Sequence, residues 1–161
     1  MNALCLLLKP ENILLGISPS SKKRVFEQAA QALSLIYRLD RKEVFDALIA
    51  REKLGSTYLG YGISLPHCRL PNLSQPCALF IRLHGQLEPA RAREEPTHSL
   101  FFLLAPEEAC SEHLELLAGA AEIFSDESIR TKLSQANTSE KFCEALNKWC
   151  AEKYESDKRE S

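Results

Sequence analysis

Leu100-Phe101-Phe102-Leu103-Leu104-Ala105 is an unbroken apolar run closed by Pro106, and Ala78-Leu79-Phe80-Ile81-Arg82-Leu83 upstream nearly repeats its pattern. Neither run has a polar face. Strands of that kind lie inside a sheet covered by helices on both sides. A shorter run, Ile13-Leu14-Leu15 before Gly16, suits a third strand better than a helix.

The covering helices follow from periodicity. Across residues 20–38, Val25, Phe26, Ala29, Leu33, Ile36 and Tyr37 recur at three- and four-residue steps, with Ser18-Pro19-Ser20 as the start signal. Asp40-Arg41-Lys42-Glu43 reads as a capping box for a second helix, whose stripe is Val44, Phe45, Leu48 and Ile49 and which Gly55 ends. After Pro106, Leu114, Leu117, Ala118, Ala121 and Phe124 share a face, with Ser111 as the expected N-cap. Ser125 or Asp126 opens a shorter helix through Ile129 and Leu133. Thr138 or Ser139 opens a last one carrying Phe142, Ala145, Leu146 and Trp149. Strands mixed with helices, without internal repeat or linker, specify a single α/β domain with a mixed β-sheet flanked by helices, residues 1–150, followed by a charged flexible tail at 151–161.

Composition narrows the function. The 161 residues are 45% hydrophobic and 26% charged, enough for one core. Twenty basic against 22 acidic residues leave a net charge of -2, which argues against nucleic acid as a partner. The apolar run from Leu4 to Leu8 is far short of the roughly 20 residues a membrane span needs, and Lys9-Pro10-Glu11 after it is no secretory cleavage site, so the expected compartment is the cytoplasm. Six cysteines, at 5, 68, 77, 110, 143 and 150, form no C-x-x-C pair, and in that compartment free thiols are expected.

Residues 55–68, Gly-Ser-Thr-Tyr-Leu-Gly-Tyr-Gly-Ile-Ser-Leu-Pro-His-Cys, pack three glycines, a proline and a histidine between regular elements. Pro66 fixes its own φ and biases Leu65 towards an extended conformation, so His67 is presented from stiff backbone. Taken alone, His67 reads as the end of a strand, Arg51 as a helix-end charge and His113 as a surface histidine.

Their context changes that reading. Arg51-Glu52-Lys53-Leu54-Gly55-Ser56-Thr57, then Leu59-Gly60, Gly62-Ile63, Leu65-Pro66-His67, and His113-Leu114 after Leu103-Leu104-Ala105-Pro106, together resemble the fructose/mannitol-type IIA domains of the bacterial sugar phosphotransferase system. The resemblance covers about residues 4 to 150 and implies a phosphotransferase that carries a phosphoryl group on histidine. It assigns the acceptor to His67, the second active-site histidine to His113 and the active-site arginine to Arg51. It implies an HPr-type phosphocarrier as donor, and either regulatory targets or a IIB protein downstream. The chain's length and the basic Arg69 with Leu70 just after His67 favour the nitrogen-regulatory branch over a sugar-specific IIA protein.

The chemistry fits. A neutral imidazole attacks phosphorus without a separate base. An arginine fork and a histidine N–H can hold the equatorial oxygens of a loose transition state, and Thr57 is a further candidate for binding the phosphoryl group. Neither cofactor nor metal is expected. Three positions depart from the family's pattern: Tyr61 replaces a small polar residue, Cys68 the glycine after the histidine, and His98 a frequent aspartate. Tyr61 and Cys68 are expected to crowd the site or alter its turn, and His98 to be peripheral. A different class, a metal- or thiol-dependent protein using His67 and Cys68, is disfavoured because adjacent residues of an extended chain point to opposite sides.

Overall fold

A computed structural model describes residues 2–18, 20–108 and 110–160. Six strands form one mixed sheet: β1 (Ile13–Ile17), β2 (Tyr58–Gly60), β3 (Ile63–Ser64), β4 (His67–Leu70), β5 (Cys77–Leu87) and β6 (Thr97–Pro106). The order is β1-β5-β6-β3-β2, and β4 also pairs with β6. The two long apolar runs are the central antiparallel pair β5 and β6; β1 runs parallel to β5, β3 and β4 run parallel to β6, and β2 is antiparallel to β3.

Both faces are covered. On one, α2 (Lys22–Tyr37) and α3 (Arg41–Leu54) bury Phe26, Leu33 and Leu48 against Leu79, Ile81, Phe102 and Leu104. On the other, α1 (Leu4–Leu7), α4 (Cys110–Ser125), α5 (Glu127–Gln135) and α6 (Ser139–Glu160) pack on Phe80, Phe101 and Leu103. Alternation along β5 and β6 sends successive side chains to opposite cores.

Caps form much as their residue types dictate. Asp40 accepts from the Glu43 amide at 2.9 Å, Asp126 from Ser128 at 2.9 Å, and Thr138 from Lys141 at 3.1 Å. Ser21, one residue past the anticipated start signal, caps α2 by accepting from Arg24; Pro19 lies outside the described residues.

Four expectations need correction. α4 already begins at Cys110, so Ser111 lies inside the helix. Its buried side is His113, Leu116, Ala120, Ile123 and Phe124, whereas Leu114 is 63% exposed and Ala118 and Ala121 face outward; two apolar stripes share this helix, and the one containing His113 faces the sheet. Residues 151–160, read as a flexible tail, continue α6 as helix, with their side chains exposed. Cys5 and Cys150 are joined as a disulfide, because α1 folds back onto α4 and α6; their 145-residue separation carries no local signal. Cys68, Cys77 and Cys143 are free, as anticipated, and all three are buried.

Candidate functional site

β3 and β4 are two pieces of one broken strand along β6. Ile63 and Ser64 lie opposite Ser99 and Leu100, and His67 resumes the pairing opposite Leu103. Between them the Leu65 amide donates to the Thr57 carbonyl (2.9 Å), and the Leu103 amide donates to the Pro66 carbonyl (3.0 Å). The break at Leu65-Pro66 is where His67 emerges, pinned from both sides.

The half-buried His67 ring is locked by main chain. Its Nδ1 lies 2.8 Å from the Leu65 carbonyl oxygen. A carbonyl only accepts, so Nδ1 carries the hydrogen and Nε2 holds the free lone pair. Burial lowers the pKa of His67; the Leu65 bond opposes this, the Arg51 charge adds to it, and Glu52 opposes it. The ring is therefore mostly neutral near pH 7.

His113 enters from the first turn of α4 with its ring centroid 5.4 Å from that of His67 and the planes tilted by 45°. It is 5% exposed, and its Nδ1 has no hydrogen-bond partner among the described residues. Its pKa is lowered, first by burial, then by His67 and by the positive charge of Arg69. Arg69 follows His67 by two residues along β4, which puts both on the same face.

Arg51, in the last turn of α3, donates Nη1–H to the Gly55 carbonyl at 3.1 Å, which orients its guanidinium. Glu52 pairs with Lys22 and accepts from the Thr57 hydroxyl at 3.3 Å. The Thr57 hydroxyl, singled out above for binding a phosphoryl group, is thus committed to Glu52. Sequence reasoning missed Glu52, whose signal was its place between Arg51 and Lys53, and the Leu65 carbonyl, which has no side-chain signature.

Neither odd side chain crowds His67. Cys68 is 7% exposed and packs on the α2–α3 side of the sheet, opposite to His67, where burial pushes its thiol pKa up to about 12. That separation and the suppressed thiolate remove His67 and Cys68 as a joint ligand or nucleophile pair. Tyr61 adopts φ 57° in the turn between β2 and β3, and its ring lies 3.6 Å beneath the Arg130 guanidinium carbon. His98 is peripheral, as anticipated: Nδ1 bonds the Ser99 hydroxyl, and Nε2–H donates to the Tyr61 carbonyl at 3.1 Å. A Cβ on Gly62 would fall 2.3 Å from the His98 ring, so this turn tolerates only glycine there.

Among the described residues no helix is long and apolar enough to cross a membrane. A family model described as "Phosphoenolpyruvate-dependent sugar phosphotransferase system, EIIA 2" matches residues 6–149. A nitrogen regulatory protein of Pseudomonas aeruginosa is 38% identical over 135 residues, which is 83% of this chain and 88% of that one. The crystal structure of nitrogen regulatory protein IIA-Ntr from Neisseria meningitidis superposes with a TM-score of 0.82 at 38% identity, covering 89% of this chain and 98% of that one. The mannitol IIA structure from Escherichia coli shares the fold, with a TM-score of 0.73 at 22% identity, covering 86% and 98%.

Proposed function

The chain belongs to the EIIA 2 family of the phosphoenolpyruvate-dependent sugar phosphotransferase system, and from that premise we propose that His67 Nε2 is the atom that carries the phosphoryl group. The observation behind this is the 2.8 Å bond from Nδ1–H to the Leu65 carbonyl, which leaves Nε2 unprotonated. The Nε2 lone pair attacks the phosphorus of a phosphohistidine on an HPr-type donor. The new N–P bond forms as the donor's N–P bond breaks, and the electron pair returns to the donor imidazole. No proton need leave His67, because the attacking nitrogen carries none.

Arg51 and His113 act on the three equatorial oxygens. The Arg51 guanidinium is already oriented by Gly55 and offers charge-assisted donors. His113 holds a buried ring nitrogen without a partner among the described residues, an omission that generally costs about 1–3 kcal/mol and that a phosphoryl oxygen would relieve. Arg69 adds a cation on the same face, and its charge adds to burial and to His67 in lowering the pKa of His113.

Nitrogen regulatory relatives support a regulatory role for this phosphocarrier over onward transfer to a IIB protein. Phosphorylation adds about -1.5 to -2 of charge beside Arg51, Lys53 and Arg69, so an acidic target would prefer the unmodified form.

The test is a phosphoenolpyruvate-driven relay followed by intact-mass spectrometry. Wild type gains one phosphoryl group and His67→Ala gains none. Arg51→Ala and His113→Ala are slowed about 10²–10³-fold, the usual loss for one transition-state donor. Acceptance by His67→Ala at the wild-type rate defeats the reading.

A further inference from the structure

On the same face of the sheet as His67, but at the other end of β6, lies a cavity of about 270 Å³. Ser99, in its wall, is in register with Ile63 and Arg82, whereas His67 is opposite Leu103; four residue steps along a strand separate the two places by about 13 Å. α4 reaches both, with His113 at one end and Phe124 at the other.

The chemistry of this cavity is unlike that around His67. Its floor is aromatic: the Phe80 ring centroid stands 4.7 Å from that of Phe142 and 6.1 Å, stacked, from that of Phe124. Two guanidiniums stand in its wall, and no acidic residue lines it. Arg82 donates to the carbonyls of Leu133, Ser134 and Ala136, tying down the end of α5. Arg130 donates Nη1–H to the Phe124 carbonyl at 2.8 Å and rests its face on the Tyr61 ring. Among the described residues neither arginine is paired with a carboxylate.

We infer that this cavity binds a small aromatic carboxylate, with its ring on the phenylalanine floor and its charge at the Arg130 guanidinium. The volume lies just under the roughly 300 Å³ lower end of small-molecule sites, which suits one ring with a short acid chain and excludes a nucleotide. Apolar walls with a few convergent polar groups are the usual make-up of such sites. Two cations without an acidic counterpart select an anion, and a planar carboxylate matches a guanidinium fork. Tyr61, Thr131 and Ser134 stand at the mouth, and Tyr61 gains a role at this cavity that it lacks beside His67. The inference rests on these residues alone and stands or falls separately from the assignment of His67.

The experiment titrates ¹⁵N-labelled protein with 3-phenylpropanoate, and in parallel with the neutral isostere 3-phenylpropanamide. The acid is expected to give saturable amide shifts confined to residues 61–63, 98–99 and 130–134, with a Kd of about 1 mM, near what ligand efficiency allows about eleven non-hydrogen atoms. The amide should bind roughly tenfold more weakly, and Arg130→Gln should bring the acid down to the level of the amide. Ser134→Trp, a change at an exposed rim position that leaves both arginines in place, should abolish binding of both compounds. Absence of saturable shifts at about ten times that Kd overturns the inference. So do equal affinities for acid and amide, or undiminished binding in either variant.

Discussion

His67 and His113 stand 5.4 Å apart, ring to ring, and each is drawn towards neutrality by burial and by a neighbouring arginine: Arg51 for His67, Arg69 for His113. A proton on either ring would face the other across a partly dry gap. The pair therefore behaves as one unit that resists charging.

A pH profile follows, with a definite sign. Both folded-state pKa values lie below the ordinary 6.5. Phosphoryl acceptance is expected to stay level from about pH 8 down through 6.5 and to fall only at more acid pH, where His67 protonates. The same shifts act on stability. Below pH 6.5 the unfolded chain takes up protons that the folded site refuses, so the contribution is fully present above the unfolded pKa and is lost as pH falls towards the folded values. Denaturant unfolding at a series of pH values should show this slope, and His113→Gln should reduce it.

The charges around His67 oppose one another, and each can be removed. Arg51→Gln should raise the midpoint of His67, because the guanidinium holds it down, and Glu52→Gln should lower it, because the carboxylate holds it up. Titration of the ring Cε1–H resonance reads both. Shifts in the same direction, or none, would mean that His67 sits outside the field of this helix end.

Cys68 is a packing residue. Cys68→Gly is expected to cost about 1–2 kcal/mol of stability through the cavity it leaves among the α2–α3 contacts. Single-turnover phosphoryl transfer should remain at the wild-type rate. A faster variant would show that the thiol impedes the site after all.

The Cys5–Cys150 link closes a loop of 145 residues. Chain-entropy arguments give such a crosslink about 4–5 kcal/mol of stabilisation, usually less in practice. Cys5→Ser or added reductant should lower the melting temperature, and peptide mapping under non-reducing conditions should recover the two cysteines together.

The helices were legible because their apolar spacing is long and regular, as in Val25, Phe26, Ala29 and Leu33 of α2. Periodicity does not orient α4, because Leu114, Ala118 and Ala121 make a second apolar stripe beside the buried one, and only contact with the sheet selects between them. β2, β3 and β4 escaped periodicity, being pieces of two to four residues cut by glycine and proline and held by pairing to β6. Around His67 the side chains were readable as a motif. The Leu65 carbonyl and the Glu52–Thr57 bond were not, because a backbone acceptor has no residue type and a hydroxyl's partner depends on the fold.

The lock on His67 is made of peptide bond. Any residue at position 65 supplies the same carbonyl, so random substitution there cannot erase the tautomer that leaves Nε2 ready. Substitution of the surrounding side chains, Cys68 included, leaves this feature untouched. The vulnerable position is Pro66: it sets the direction of the chain between carbonyl and ring, so the orientation of the nucleophile is inherited through a residue that takes no part in the chemistry.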